Sequence, residues 1–334
     1  MFQTFPLWPQ RASSMAGNVD ALFIFLLSLC GFMCIAIFMM ILIFAAKYRR
    51  TKTRQAEQIE GSNALELTWS GVPLFIFMGI FVWGGVIYFL ERTPPDDSAE
   101  IYTVAKQWMW KFQHLEGQRE INALHVPLGR DIKMIMTSQD VIHSFYVPAF
   151  RIKQDVLPGR YTVAWFRATR AGTYHLFCAE YCGTAHSGMI GEVVVMEPAE
   201  YEQWLSAGPA APLPEAGKQL FMSLGCSTCH RFDTQGRGPN LVGLYGMPVQ
   251  LEDGRTVIAD DNYIRESILA PAAKVVAGFK PIMPTFQGLV SEEQLNALLA
   301  YIKSLSQTAQ GTAGTANTPP AAAPAGQQPV MQVQ

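Results

Sequence analysis

The sequence predicts a multidomain membrane protein: a two-helix transmembrane hairpin, an all-β domain and a small all-α domain. Three observations predict it. Two long uncharged runs lie near the N-terminus, at 21–46 and 67–90. Short β-rich runs broken by Gly and Pro fill 101–197. A Pro/Ala stretch then leads to a last region that closes on an amphipathic helical pattern. Composition agrees. A chain that is 49% hydrophobic and only 16% charged is apolar for a soluble protein, and 334 residues suffice for two or three domains. The formal net charge of −2 gives no basis for nucleic-acid binding, and none is expected.

Each uncharged run exceeds the ~20 residues needed to span a bilayer. A cleaved leader would have a shorter apolar core and a basic start. L-S-L-C at 27–30 touches on a lipoprotein cleavage site, but Leu29 is too large for the cut and the apolar run continues past it. Cys30 and Cys34, one helical turn apart, read as packing residues. Lys47, Arg49, Arg50, Lys52 and Arg54 follow the first run, and Trp69 and Trp83 suit interfacial positions in the second. A short basic connection belongs in the cytoplasm. Both termini and all later domains are then expected on the outer, periplasmic side of a bacterial inner membrane, with lipid around the hairpin. The predicted boundaries are 1–94 for the N-terminal segment and hairpin, 95–204 for the β domain, 205–214 for a linker, 215–306 for the helical domain and 307–334 for a disordered tail.

In the β domain, I-Y-T-V, W-M-W-K-F, D-I-K-M-I-M, Y-T-V-A-W-F, T-Y-H-L-F and I-G-E-V-V-V-M read as strands of a sandwich or barrel. Trp108 and Trp110 alternate, so one belongs in the core and one outside. The chemistry concentrates in residues 178–189, C-A-E-Y-C-G-T-A-H-S-G-M. Thiolate, imidazole and thioether together select copper. Two thiolates, Cys178 and Cys182, can bridge two coppers, with His186 and Met189 as terminal ligands. One more imidazole is needed, and His143 in V-I-H-S-F is the best candidate. A disulfide or half of a zinc site are the alternatives. Zinc does not favour Met, and a disulfide has no use for the following His and Met.

The linker S-A-G-P-A-A-P-L-P is extended and semi-rigid. Beyond it, Cys226-Ser-Thr-Cys229-His230 is the C-x-x-C-H haem attachment motif. The thiols add to the haem vinyl groups and His230 becomes the proximal ligand. Met is the usual second axial ligand of such a haem c. Met283 in P-I-M-P-T-F is the expected ligand and Met247 the runner-up. Its place just before the last helix resembles class I cytochromes c, as does G-P-N-L-V-G-L-Y-G at 238–246. Ser291 and Gln294 form a capping box, and Leu295, Leu298, Leu299, Ile302 and Leu305 form one stripe. That stripe is expected to pack on the helix carrying Cys229 and His230. The tail after Ser306 is uncharged and rich in Gln, Ala, Thr, Gly and Pro.

The 178–189 stretch resembles the binuclear copper (CuA) loop of subunit II of haem–copper oxidases. L-E-L-T-W (65–69), Q-W-M-W (107–110), I-H-S-F-Y-V-P (142–148) and D-V-L-P-G-R (155–160) extend the resemblance from the first span to Trp204. It implies a cupredoxin-like β domain and CuA ligands at His143, Cys178, Glu180 (through its carbonyl), Cys182, His186 and Met189. It further implies magnesium near the Glu180 side chain, shared with the catalytic subunit, and places Asp155 near that interface. Glu66 matches a residue at the mouth of a proton path, and its plain alternative is a solvated helix cap. Trp108 matches the residue through which electrons come in, although Met109 stands where the family more often has Tyr. His114, His125 and His175 match no ligand position and read as structural or surface residues.

The implied function is subunit II of a cytochrome c oxidase fused to a cytochrome c, a caa-type oxidase. Electrons would pass from soluble cytochrome c, or another donor, to haem c, to CuA and on to a haem in subunit I, among other oxidase subunits. The complex would reduce oxygen and pump protons; this chain has no membrane His cluster for that chemistry. A nitric oxide reductase subunit and a stand-alone membrane-anchored carrier are the alternatives. The haem motif argues against a copper chaperone, and the copper ligands argue against a quinol-oxidase subunit.

Overall fold

The computed structural model describes residues 8–50, 61–208, 211–232 and 236–315, with side chains as far as 306. Lys52 and Arg54 of the basic cluster, and residues 316–334 of the tail, lie outside the described residues. The chain divides into two units, Met1–Pro212 and Leu213–Gln334.

The first unit opens with α1 (Ala16–Lys47) and α2 (Asn63–Arg92), of 32 and 30 residues. Their most apolar windows have mean hydropathies of 2.8 and 2.1. At 1.5 Å per residue each is over ~40 Å long, more than a hydrocarbon core of ~30 Å. Their apolar side chains point outward, with Phe75 78% and Leu67 74% exposed. Water disfavours such a surface by about 25 cal/mol per Å²; lipid does not. Ser62 caps α2 by accepting from the Leu65 N–H.

Ten strands follow: β1 (Ala99–Lys106), β2 (Met109–His114), β3 (Arg119–Ile121), β4 (Ala123–Pro127), β5 (Asp131–Ser138), β6 (His143–Val147), β7 (Ile152–Val156), β8 (Thr162–Arg167), β9 (Gly172–Cys178) and β10 (Ile190–Met196). They form two five-stranded sheets, β3-β2-β1-β5-β8 and β4-β10-β9-β6-β7. The sheets enclose Trp110, Phe112, Leu124, Met134, Phe145, Phe166 and Leu176, all fully buried. As the alternation requires, Trp110 is in this core while Trp108 is 37% exposed. The first membrane helix is tied to the sandwich by charge. Asp20 is buried at the head of α1, where its carboxylate accepts from Arg151 Nε at 2.7 Å and Arg11 Nε at 2.6 Å. On the second helix, the Trp165 indole donates to the Leu90 carbonyl at 2.9 Å. Helix α3 (Pro198–Ser206) closes the unit.

The second unit comprises α4 (Leu213–Ser223), the hairpin β11 (Pro248–Gln250) and β12 (Thr256–Ile258), α5 (Asp261–Leu269) and α6 (Glu292–Thr315). The capping box forms in both directions: Gln294 N donates to Ser291 Oγ at 3.2 Å and Ser291 N to Gln294 Oε1 at 2.9 Å. The stripe on α6 buries Leu295, Leu298, Leu299 and Ile302. It packs on α4, where Phe221 meets Tyr301 edge-on at 5.4 Å.

Three details differ from the sequence reading. Cys226 and Cys229 do not sit on the helix that meets the stripe. That helix ends at Ser223, and Gly225, left-handed at φ 74°, turns the chain into a 3₁₀ turn over Cys226–Thr228. Helix α4 begins at Leu213, inside the stretch read as linker, and Pro214 suits its first turn. Helix α6 runs on to Thr315, past Ser306, through residues with no helix-breaking Pro before 319.

Candidate copper and haem centres

Strand pairing brings the sulfur-rich loop to its distant imidazole. β6 begins at His143, β9 ends at Cys178, and Phe145 pairs with Cys178 across them. The chain then loops through Cys182, turns at His186–Gly188 and enters β10 at Ile190. Cys178 Sγ lies 3.8 Å from His143 Nδ1 and 3.8 Å from Cys182 Sγ. Cys182 Sγ lies 3.4 Å from His186 Nδ1 and 3.8 Å from Met189 Sδ. His143, Cys178, Cys182 and Met189 are all buried, His186 half-buried. The donor atoms of His143, Cys178 and Cys182 lie within 4.8 Å of one another. No disulfide joins any of the six cysteines. Two sulfurs facing each other, each with its own imidazole and one with a thioether, form a soft donor set that fits copper.

The thiols are unequal. Burial is the largest influence and opposes ionisation of Cys178, but hydrogen bonds with His143, the Ser144 and Glu180 backbone and Cys182 together outweigh it and bring it down to about 6. Burial and the neighbouring Cys178 thiolate push Cys182 up to about 12. The first negative charge therefore forms readily, and the second needs a cation.

A residue absent from the sequence reading orders this cluster. Asp140 Oδ1 lies 2.8 Å from His143 Nε2. A carboxylate there fixes the proton on Nε2 and leaves the Nδ1 lone pair toward the sulfurs. Asp140 in turn accepts from the N–H groups of Gln107 at 2.8 Å and Val141 at 2.7 Å. Burial would raise the Asp140 carboxyl, but these bonds hold it below the usual carboxylate range. A carboxylate three residues before a ligand His was the available signal.

In the helical unit, Cys226, Cys229, His230 and Met283 line one cavity of about 530 Å³, with Phe221, Leu298 and Ile302 on its apolar wall. His230 Nδ1 donates to the Pro239 carbonyl at 2.8 Å. The Nε2 lone pair is then left for a metal. A Cβ at Gly238 would meet His230 Cε1 at 2.8 Å, so only glycine lets the backbone pass the ring. Met247 is 54% exposed and absent from the cavity wall. A covalent haem fits this set of two thiols, an oriented imidazole and an apolar slot.

Comparison with known proteins identifies the domains that carry these clusters. Residues 4–84 match the family described as cytochrome C oxidase subunit II, transmembrane domain, and residues 113–197 match the periplasmic domain of that subunit. Residues 214–306 match cytochrome c. The chain belongs to the cytochrome c oxidase subunit II family. It carries a cytochrome c domain in addition. Among its relatives is "Cytochrome c oxidase subunit 2" of Alkalihalophilus pseudofirmus, 29% identical over 293 residues, covering 81% of this chain and 82% of the relative. Another is "Alternative cytochrome c oxidase subunit 2" of Bradyrhizobium diazoefficiens, 28% identical over 236 residues, covering 60% and 83%. Among solved structures, the periplasmic domain of subunit II (CoxB) of Bradyrhizobium japonicum is 28% identical and covers 35% of this chain and 96% of that one, with a TM-score of 0.34. These families imply copper in the β domain, haem c in the helical one and a subunit I partner.

Of the remaining expected residues, Trp108 and Glu180 lie at the same loop and the others lie elsewhere. Trp108 Nε1 donates to the Cys182 carbonyl at 3.2 Å, so an exposed indole touches the copper loop directly. The Glu180 side chain is exposed, and its carbonyl accepts from Cys178 Sγ at 3.2 Å. Glu66 is exposed in the first turn of α2. Asp155 accepts from Ser144 Oγ at 2.8 Å, which with Lys153 keeps its carboxyl low. His175 is exposed on β9. His114 and His125 share the buried Glu120 carboxylate, under Tyr201 and Trp204 of α3. They pin α3 to the sandwich.

Proposed function

We propose that this chain is the electron-receiving subunit of a cytochrome c oxidase. It takes electrons from cytochrome c and delivers them to a haem–copper subunit I for oxygen reduction coupled to proton pumping. The convergence of Cys178, Cys182, His143, His186 and Met189 carries this reading. When bound, a copper pair and haem c each accept and pass on one electron. Cys178 and Cys182 would bridge the coppers, His143, His186, Met189 and the Glu180 carbonyl would complete their shells, and the Glu180 side chain would reach a magnesium ion shared with subunit I. Cys226 and Cys229 would anchor the haem between His230 and Met283. Burying these ligands on strand ends and a short loop holds them in place as charge changes. Trp108 would receive the incoming electron, and Glu66 would sit at a proton-path mouth. The basic connection supports a periplasmic position for both redox domains.

EPR of the full chain, oxidised and copper-loaded, tests this. Hyperfine structure shared over two equivalent copper nuclei, abolished by Cys182→Ala, is the expected result. A single-nucleus spectrum would make the site a mononuclear carrier and overturn the bridging role of the cysteines.

A further inference from the structure

We infer that Gln107 is a positioning residue that ties together the two chain segments carrying the metal ligands. Its backbone N–H donates to Asp140 Oδ2 at 2.8 Å, and Asp140 Oδ1 holds His143 Nε2 at 2.8 Å. Its side-chain Nε2 donates to the Cys182 carbonyl at 2.8 Å. One residue thus reaches the orienter of the histidine with its main chain and the second cysteine with its side chain. These segments are 140–143, which leads into β6, and the 178–189 loop, which approach each other only in the folded sandwich.

The local geometry fits this role closely. The Trp108 indole donates to the same carbonyl at 3.2 Å, so both lone pairs of Cys182 O are used. The next residue, Gly183, is at φ +114°, and a Cβ there would lie 2.9 Å from Gln107 Nε2. A side chain at 183 would therefore displace the amide. Gln107 is half-buried, so its amide competes with water less than a surface side chain does. The clamp acts on Cys182 and not on Cys178, whose sulfur faces the Glu180 carbonyl instead. Turning the Cys182 peptide moves its Sγ relative to His186 and Met189. Gln107 therefore sets how alike the two halves of the centre are.

This inference rests on the copper reading, and the test separates the two. Full-length chain with haem attached would be loaded with copper, as wild type, Gln107→Met and Gln107→Lys. Met keeps the length and loses the donor; Lys, one atom longer and cationic, keeps a donor. Gln107→Met should release copper to a chelator roughly ten-fold faster, the low end of what losing an outer-shell partner does. Its EPR hyperfine pattern should become unequal over the two nuclei and its midpoint potential should shift. Gln107→Lys should restore copper retention and the equal hyperfine pattern, while its positive charge moves the potential by itself. Trp108→Phe, added to Gln107→Met, should lose more than the two single variants summed, since both donors serve one carbonyl. Equal loss in the Met and Lys variants, whether of copper or of the folded chain, would show that bulk matters and not donation, and would overturn the role. So would wild-type spectra and release rates in both. Wild type that takes up no copper would instead remove the reading beneath it.

Discussion

Asp140 Oδ1 sits 2.8 Å from His143 Nε2, on the side of the imidazole away from the sulfurs. Carboxylate, imidazole and thiol form a line in which the carboxylate decides which ring nitrogen is free to bind a metal. Removing the carboxylate should release that choice. Asp140→Ala is expected to weaken copper binding about 10- to 100-fold, measured by competition with a chelator. Asp140→Asn, which can still accept at Nε2–H, should lose less.

The two buried thiols should titrate far apart in copper-free protein. Ultraviolet absorbance should show one thiolate forming with a midpoint near pH about 6, from Cys178, and no second one below pH about 9, because Cys182 is pushed up to about 12. The sign for stability follows. The folded Cys178 value lies below the ordinary 9.0, so between about 6 and 9 the folded chain holds fewer protons and that thiol stabilises it increasingly as pH rises. In Cys178→Ser the Cys182 value should fall back, since the like charge is gone.

Met283 and Met247 should separate cleanly. Met283→Ala is expected to leave the haem one axial ligand short and lower its potential, seen by absorbance and redox titration. Met247→Ala, at a residue 54% exposed and off the cavity wall, should leave both unchanged.

Helix α4 crosses α6 at Gly217. A Cβ there would lie 2.8 Å from Tyr301 Cβ and closer still to the Ala297 carbonyl. Gly217→Ala should raise local helix propensity yet destabilise the haem domain by about 1–3 kcal/mol, because backbone cannot move aside as a side chain can. Thermal unfolding followed at the haem absorbance would register it.

Glu120 accepts from His114 at 2.8 Å and from His125, beneath Trp204. Burial would raise this carboxyl, but the two imidazoles and the His125 N–H hold it below its ordinary 4.5. Its contribution is therefore present above pH about 4.5 and lost as pH falls through the lower folded value. Glu120→Gln should destabilise the sandwich by about 1–3 kcal/mol at neutral pH and flatten the acid limb of its stability curve, measured by denaturant titration across pH.

Much of the fold was legible because its signals are local. Long uncharged runs, the C-S-T-C-H motif and the Ser291/Gln294 box each lie within one element. The strands rich in β-branched and aromatic residues were legible too. The three-residue β3 and the five-residue β4 and β7 were not, because so few residues establish no period. Their existence depends on partners elsewhere, such as the parallel pairing of β4 with β10.

The site divides in the same way. The soft-donor loop was legible in the sequence, since Cys178, Cys182, His186 and Met189 follow one another along the backbone. The copper reading of that loop led to the expectation that an imidazole would come from elsewhere. Only the tertiary structure decided how the distant groups meet. Antiparallel pairing of β6 with β9 sets His143 against Cys178, and a turn and a strand end place Asp140 and Gln107 behind them. The cavity wall likewise includes Met283 and leaves out Met247. Ligand identity is chemistry carried by each side chain, whereas orientation and protonation depend on neighbours that only long-range hydrogen bonding and burial bring close.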